Sequence, residues 1–419
     1  MTTTEERTRS DVVVVGAGPG GCATAIHLAK SGLNVTLLEK AEFPRDKICG
    51  DGLTPRVLRE LAYLGINPET LSWKKNRGLR IHVAKSRYLL EWPESRDFPS
   101  IGMAVKRSLF DHFLANQTIK AGVNLVTNAN VCKSVEQQGR ITGVETKDGR
   151  CFEAPIVVAC DGGSARLAVS MGLHRIESRP MGIAVRAYFS SPASNQDWLD
   201  SWLELWDGTS KSPRLLPGYA WSFPLGDGTC NVGLGLPDAA RYRDIDLRDT
   251  MSRWLMSLPD SWGFTPDHQL GKIRSAALPM GFNRKPVYSR GLFLVGDAAG
   301  AINPFNGEGI SYAMESGRFA AEAIIQGYSR GLYTRSCERA FAGYASRLGD
   351  EWGGYFWLGN LFGRIISNPH VMKIAAHYGL PIPVVRNLTH RMLSHVVDRP
   401  SRDTYDRVVN TLTRMVPQA

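Results

Sequence analysis

The chain has 419 residues, 43% hydrophobic and 21% charged, a composition that excludes wholesale disorder and a length that predicts two to three domains at about 150 residues each. The 42 glycines exceed the usual ~7% without any triplet period, which excludes collagen and points to clusters of tightly packed backbone. The net charge of +10 suits an anionic cofactor, an anionic membrane or neither. Lys and Arg never run longer than two, so nucleic acid is not an expected partner.

Met1 to Ser10 is polar and lacks an apolar core, so no signal peptide is expected. Asp11 to Gly21 then reads D-V-V-V-V-G-A-G-P-G-G. Four valines predict a strand buried on both faces, as in a parallel sheet. Gly16, Gly18 and Gly21 match G-x-G-x-x-G, followed by a small-residue helix over 23–30 and a second strand, Val35 to Leu38, ending at Glu39. In this βαβ unit Gly16 permits the turn and Gly18 lets backbone approach a pyrophosphate. Gly21 lets helix pack on strand, and Glu39 accepts hydrogen bonds from a ribose diol.

Phe43 to Leu53 is a turn-rich segment with two cations, Arg45 and Lys47, and a thiol, Cys49, ahead of Gly50 and Gly52. It reads either as a surface loop with a buried cysteine or as a loop crossing a ligand. In the second case the cations lie near phosphates and Cys49 near a reactive ring. A helix is predicted over 54–64 with Pro55 in its first turn. Another opens at Lys106, with Leu109, Phe113 and Leu114 facing inward and Arg107 either exposed or on a phosphate. Val123 to Val126 and Val131 are expected to continue the sheet, with Ile141 to Glu145 as a hairpin partner.

Ile156 to Arg166 repeats the strand-then-glycine theme around Asp161, Gly162 and Gly163. Leu292 to Gly300 does so again around Asp297. Carboxyl ends of parallel strands are where such sheets bind ligands. A long helix follows from Ile310, with Ala313, Met314, Gly317, Ala321 and Ile324 on one face and Gly307 and Gly309 at its start. Between the second and third edges, 181–235 alternates as antiparallel strands and is dense in aromatics: Trp198, Trp202, Trp206, Tyr219, Trp221 and Phe223. These line a pocket or fill a plain sheet core. Residues 346–419 are mostly helical. Tyr355 to Ile366 reads as a helix over the pocket or as a peripheral membrane contact.

The seven cysteines (22, 49, 132, 151, 160, 230, 337) form no C-x-x-C, so neither a disulfide scaffold nor a metal site is expected. Reduced thiols in a cytoplasmic protein are expected. No run approaches ~18 apolar residues, so no spanning helix is expected.

The G-x-G-x-x-G start, the C-D-G-G-S-A-R block and the G-D-A-A-G block resemble the FAD fingerprints of glutathione reductase-type flavoproteins, including the aromatic hydroxylases, over roughly residues 10–330. Lys47-Ile-Cys-Gly-Asp-Gly-Leu53 and Pro217-Gly-Tyr-Ala-Trp-Ser-Phe-Pro224 resemble the geranylgeranyl reductase family. The F-P-R-D-K-x-C-G-D-G-L-T-P-R stretch looks most like its actinobacterial menaquinone reductases. Flavin halogenases carry W-x-W-x-I-P, from which Tyr219 to Pro224 departs at two positions.

The resemblance implies an α/β fold: a Rossmann-like FAD-binding domain with an inserted, mostly antiparallel substrate sheet and a helical C-terminal region. The expected domains are 10–75, 103–172 and 276–345 for FAD, 76–102 and 173–275 for the sheet, and 346–419 for the helices. It implies that Gly16, Gly18 and Gly21 hold the FAD pyrophosphate, Glu39 the ribose, Arg107 the phosphate or ribityl region and Val131 the adenine. Lys47, Cys49, Gly50 and Gly162 also join the FAD site. Asp297 takes the ribityl–pyrophosphate link, and Gly309 and Ile310 the flavin pyrimidine edge. Asp161 gains a second implied role near a nicotinamide. The implied activity is FAD-dependent saturation of an isoprenoid double bond, in a menaquinone side chain or a geranylgeranyl group. Cys49, Tyr219 and Trp221 are the candidate catalytic residues, and transient NADPH or another donor supplies electrons. The competing readings are an FAD monooxygenase acting on an apolar or aromatic substrate and a non-catalytic flavin-binding redox sensor. The expected location is cytoplasmic, with a peripheral position on the inner membrane face as the alternative. Nothing in the sequence sets an oligomeric state.

Overall fold

The computed structural model describes residues 7–207, 214–401 and 403–419; the first six residues of the polar N-terminal stretch lie outside it. Val12–Val15 is a strand with all four side chains buried. It pairs in parallel with Val35–Leu38 on one side and Ile156–Ala159 on the other. Asn124–Val126 and Leu292–Leu294 extend the sheet outward in parallel, and Tyr288–Ser289 closes one edge antiparallel. Val15 lies opposite Ala159, and Ala159 opposite Leu294. Three strands therefore end level, and the three glycine-containing turns that follow them share one edge.

The helices Pro19–Lys30 and Ile310–Ser329 pack on each other against this sheet. Small residues allow the approach: a Cβ on Gly317 would lie 2.6 Å from the Gly20 carbonyl oxygen. Ile310, Met314, Gly317, Ala321 and Ile324 are buried on the expected face.

Two local expectations are corrected. In the helix Arg107–Lys120, Leu109 is 53% exposed, while Phe110 and Leu114 face inward. The buried face is turned because Asp111 also points in, neutralised by Arg45 and Arg107. Val131 does not continue the Asn124–Val126 strand. It starts Val131–Gln137, which pairs with Arg140–Thr146 in a separate four-stranded sheet. The turn at Asn128, with a positive φ of 54°, breaks the run.

A second, seven-stranded sheet has the order 269–279, 181–190, 229–236, 219–224, 198–202, 78–83, 86–91. All neighbours are antiparallel except Trp198–Trp202 with Gly78–Val83. Its strand Gln269–Pro279 runs through the expected boundary at 275/276. Period-two alternation puts Tyr219, Trp221 and Phe223 on one face of Tyr219–Pro224. Trp202 instead packs edge-on against Trp254 and Trp262 and stacks on His82 at 4.4 Å, away from that face.

The C-terminal region is helical: Arg335–Leu348, Gly354–Ile366, Pro369–Ile374, Pro383–Ser394 and Thr404–Met415. Tyr355 and Phe356 are fully buried. Among the described residues no helix is long and apolar enough to cross a membrane.

Candidate functional site

A cavity of about 680 Å³ runs from the shared edge of the parallel sheet to the aromatic face of the seven-stranded sheet. At its polar end Gly16 has φ +101°, and a Cβ there would lie 2.3 Å from the Cys160 carbonyl oxygen. A Cβ on Gly21 would lie 1.9 Å from the Gly16 carbonyl oxygen. These two glycines are required by the protein's own backbone. Gly18 differs: a Cβ there meets nothing within 4 Å. It stands at the N-cap of the Pro19–Lys30 helix, and no side chain caps that end. Uncapped N–H groups facing open space are what a pyrophosphate needs.

Glu39 ends the second strand and is buried. Its Oε2 accepts from the Ala17 N–H at 3.1 Å and from Arg45 at 3.1 Å. Arg45 also reaches Asp111 at 2.8 Å. Arg107 is buried and spends its Nε and Nη2 on the same Asp111, at 2.7 and 2.8 Å. Val131 lines the cavity, with its N–H turned to the Ala129 carbonyl at 3.0 Å.

Lys47 bridges the other two edges. Its Nζ lies 3.8 Å from Asp297 Oδ2, and a Cβ on Gly162 would lie 4.0 Å from it. Burial pushes the Asp161 carboxyl up, opposed by the Leu167 and Arg166 N–H groups. Its Oδ1 is buried and has no hydrogen-bond partner. A Cβ on Gly309 would lie 3.4 Å from Asp297 Oδ1, so the uncapped start of the Ile310–Ser329 helix joins this edge.

The apolar end brings together Cys49, Gly50, Tyr219, Trp221 and Phe223, which sequence separates by about 170 residues. A Cβ on Gly50 would sit 3.1 Å from the Phe223 ring and 3.6 Å from the Trp221 Nε1. The Tyr219 hydroxyl donates to the Asn306 carbonyl at 2.8 Å. Burial pushes its pKa up to about 12, with Cys49 and Glu308 adding to the shift. Burial also pushes the Cys49 thiol up, against the opposing Arg107 guanidinium, so the sulfur carries its proton.

Sequence reasoning missed the residue that ties this end together. Asn231 is fully buried in the strand Thr229–Leu236. Its Oδ1 accepts from the Trp221 indole at 2.9 Å. Its Nδ2 donates to the Cys49 carbonyl and to Asp51 Oδ2, both at 2.8 Å. Asp51 in turn accepts from the Tyr188 hydroxyl at 2.7 Å and the Arg107 N–H at 3.1 Å. Burial raises the Asp51 pKa to about 6, against these donors and Arg186. One amide therefore fixes both the indole and the Cys49 loop. Its signal was a lone amide inside T-C-N-V-G-L-G-L, since a buried polar group in an apolar strand demands partners. Glu308 was also missed. It accepts from Thr54 at 2.7 Å, its Oε2 has no hydrogen-bond partner, and burial pushes its carboxyl up.

Comparison with known proteins gives the same picture. Residues 9–331 match the FAD binding domain family. The menaquinone reductase of Mycobacterium tuberculosis is 35% identical over 401 residues, covering 95% of this chain and 94% of that protein. The chain belongs to the geranylgeranyl reductase family of FAD-dependent oxidoreductases. A digeranylgeranylglycerophospholipid reductase of Methanopyrus kandleri is 28% identical over 349 residues, 82% of this chain and 85% of that one. The crystal structure of a geranylgeranyl bacteriochlorophyll reductase-like protein from Thermoplasma acidophilum shares the fold. Its TM-score is 0.76 at 22% identity, covering 97% of this chain and all of that one. The site fits the flavin dinucleotide that the family binds. The open face of Gly18, the two uncapped helix starts and the orphaned Asp161 Oδ1 all meet the same cavity.

Proposed function

We propose that this protein saturates a carbon–carbon double bond in an isoprenoid chain, either a menaquinone side chain or a geranylgeranyl group. The carrying observation is that Tyr219, Trp221 and Phe223 alternate onto one cavity face beside Cys49. The names of the menaquinone and geranylgeranyl-lipid reductases among its relatives support the substrate class. The reading assigns Gly16, Gly18 and Glu39 to the pyrophosphate and adenosine ribose, with Gly21 holding the turn that presents them. It assigns Lys47, Gly50, Arg107, Asp161, Gly162 and Asp297 to the linker. Val131 takes the adenine, and Gly309 and Ile310 take the flavin ring. Transient NADPH or another donor supplies the electrons.

Saturation adds one hydride and one proton across the double bond. FAD, when bound and reduced, supplies the hydride. Positive charge develops on the more substituted carbon, and the π faces of Tyr219 and Trp221 are worth ~0.5–2 kcal/mol to it. A low-dielectric pocket suits this chemistry, because a cation without competing water is stabilised more by fixed quadrupoles. Cys49 holds a proton at its Sγ, and the Asp51 N–H donates to that sulfur at 3.4 Å, which orients it. The proton it gives up returns from solvent.

The test is anaerobic incubation of the reduced enzyme with menaquinone, geranylgeranyl diphosphate and a geranylgeranylated lipid, read by mass spectrometry. A gain of two mass units in one of them is expected, and no gain in any sinks the reading. Oxygen incorporated under air would select a monooxygenase instead. Cys49→Ala is expected to lower turnover at least about tenfold with FAD retained, in the usual range for a lost general acid. Near-normal turnover removes Cys49 from the chemistry.

A further inference from the structure

The outer wall of the cavity is one helical layer, residues 361–385. Its inner side lines the cavity with Phe362, Ile366, Met372, Ala376 and Leu380. Its outer side is also apolar. Leu361 and Ile365 are exposed one turn apart. Val371, Ile374 and Tyr378 follow at three- and four-residue spacing, with Ile374 60% and Tyr378 74% exposed. Ile382 and Val384 continue the exposed row. Val385 belongs to both sides: it is exposed and also lines the cavity. Soluble proteins rarely leave so many large apolar side chains together in water without a partner.

Charge identifies the partner. From Trp352 to Val397 there is no Asp or Glu, although the chain as a whole carries 40. Arg364 and Lys373 are exposed among the apolar residues, and Arg386 borders them. Glu204, from another element, is held by His377 at 2.7 Å, and the segment's own charges are all cationic. Apolar side chains interleaved with such cations match an anionic bilayer surface, where the former enter the acyl boundary and the latter meet headgroup phosphates. A protein partner would impose no such exclusion of acids along 46 residues.

We propose that the 361–385 face docks on an anionic lipid bilayer, and that an apolar chain enters the cavity from the bilayer past Val385. The docking rests on the exposed face alone; the entry route rests on the isoprenoid reading above. Met372, Ala376 and Leu380 give the entering chain an apolar surface continuous with the membrane interior, so it never crosses water.

Vesicle flotation of the full-length, FAD-loaded protein tests this. Vesicles of phosphatidylcholine with phosphatidylglycerol are compared with phosphatidylcholine alone. Wild type should float with the anionic vesicles and at least about tenfold less with neutral ones or in about 0.5 M salt, where charges are screened. The double variant Ile374→Asp, Tyr378→Asp should lose flotation about tenfold, and Arg364→Glu with Lys373→Glu should lose it on anionic vesicles. Both replace exposed side chains, and unchanged thermal melting verifies their folding. The aspartate pair should keep turnover of water-soluble geranylgeranyl diphosphate and lose turnover of vesicle-embedded menaquinone. Wild type that does not float, or variants that float as well as wild type, overturn the proposal. So does a wild-type dimer that the aspartate pair dissociates, because a second copy would then cover the face. If flotation behaves as expected but no isoprenoid gains hydrogen, docking stands and the substrate reading falls.

Discussion

The two ends of the cavity are built from different material. The polar end is backbone: level strand ends, glycines and uncapped helix starts. The apolar end is side chain: an aromatic row, a thiol and an amide drawn from segments around 49, 188, 221 and 231. A backbone site is specified locally, because a turn needs its glycine at a fixed offset from its strand. A side-chain site depends on which strands the fold lays side by side. Mutation should therefore break the two ends differently.

The largest effect is expected at the polar end. Gly21→Ala forces a Cβ to within 1.9 Å of the Gly16 oxygen, so the turn must move. Thermal melting should drop by more than about 10 °C, with flavin absorbance lost after gel filtration. Gly18→Ala puts its Cβ into open space, so the apoprotein should melt as wild type while FAD affinity falls at least about tenfold. Equal melting losses in both variants would remove the distinction between a turn glycine and a ligand-facing one.

Next is Asn231→Leu, which leaves the Trp221 indole, the Cys49 carbonyl and Asp51 each short of a partner. Losing several buried hydrogen bonds at once should cost about 3 kcal/mol, read by denaturant unfolding. Turnover should fall at least about tenfold with KM little changed, because the indole and the thiol lose their mutual position. Asn231→Asp keeps the acceptor for Trp221 but sets a carboxylate against Asp51. It should therefore recover more activity at acid pH than at neutral pH. No pH dependence in that variant would count against a positioning role.

Asp51 gives a smaller, signed effect. Its pKa lies near 6, above the ordinary 3.8, because burial penalises the charge. The folded protein therefore holds a proton that the unfolded chain releases. This contribution to stability is complete below about pH 3.8 and is lost as pH rises through about 6, on the order of 3 kcal/mol in all. Ionised Asp51 is the better acceptor for Tyr188, Asn231 and the Arg107 N–H. Turnover should thus rise through pH 6 while this stability term falls, and the limb should vanish in Asp51→Asn. The groups facing Asp51 are Arg107, Arg186, Tyr188 and Cys49, and none of them has an ordinary pKa near 6.

The smallest change is Tyr219→Phe. It removes one hydrogen bond to the Asn306 carbonyl and keeps the ring. Stability should fall by about 1 kcal/mol and turnover less than about threefold. A large loss would make the hydroxyl, rather than the π face, the working part of Tyr219.

The sequence by itself determined the polar end. Gly16, Gly18, Glu39, Asp161 and Asp297 all line the cavity, and Gly21 packs against the Gly16 turn, because each sits at a fixed distance after a buried strand. It also determined that Tyr219, Trp221 and Phe223 share a face, since strands alternate with period two. Only the tertiary structure decided what that face meets. Asn231 stood out only as a lone amide in an apolar strand, and its meaning came from the indole and the loop packed against it. Leu109 was misplaced because the inward turn of its helix is set by Asp111, whose burial depends on Arg45 from 66 residues away. The helix read from Tyr355 to Ile366 was divided the same way. Tyr355 and Phe356 are core, and Leu361 and Ile365 are surface, because the last turns cover only one side: Phe362 packs on Phe305 at 5.2 Å and Ile366 faces the cavity, leaving Leu361 and Ile365 outside. Local chemistry is carried by spacing along the chain; convergence is carried by topology, which no single segment encodes.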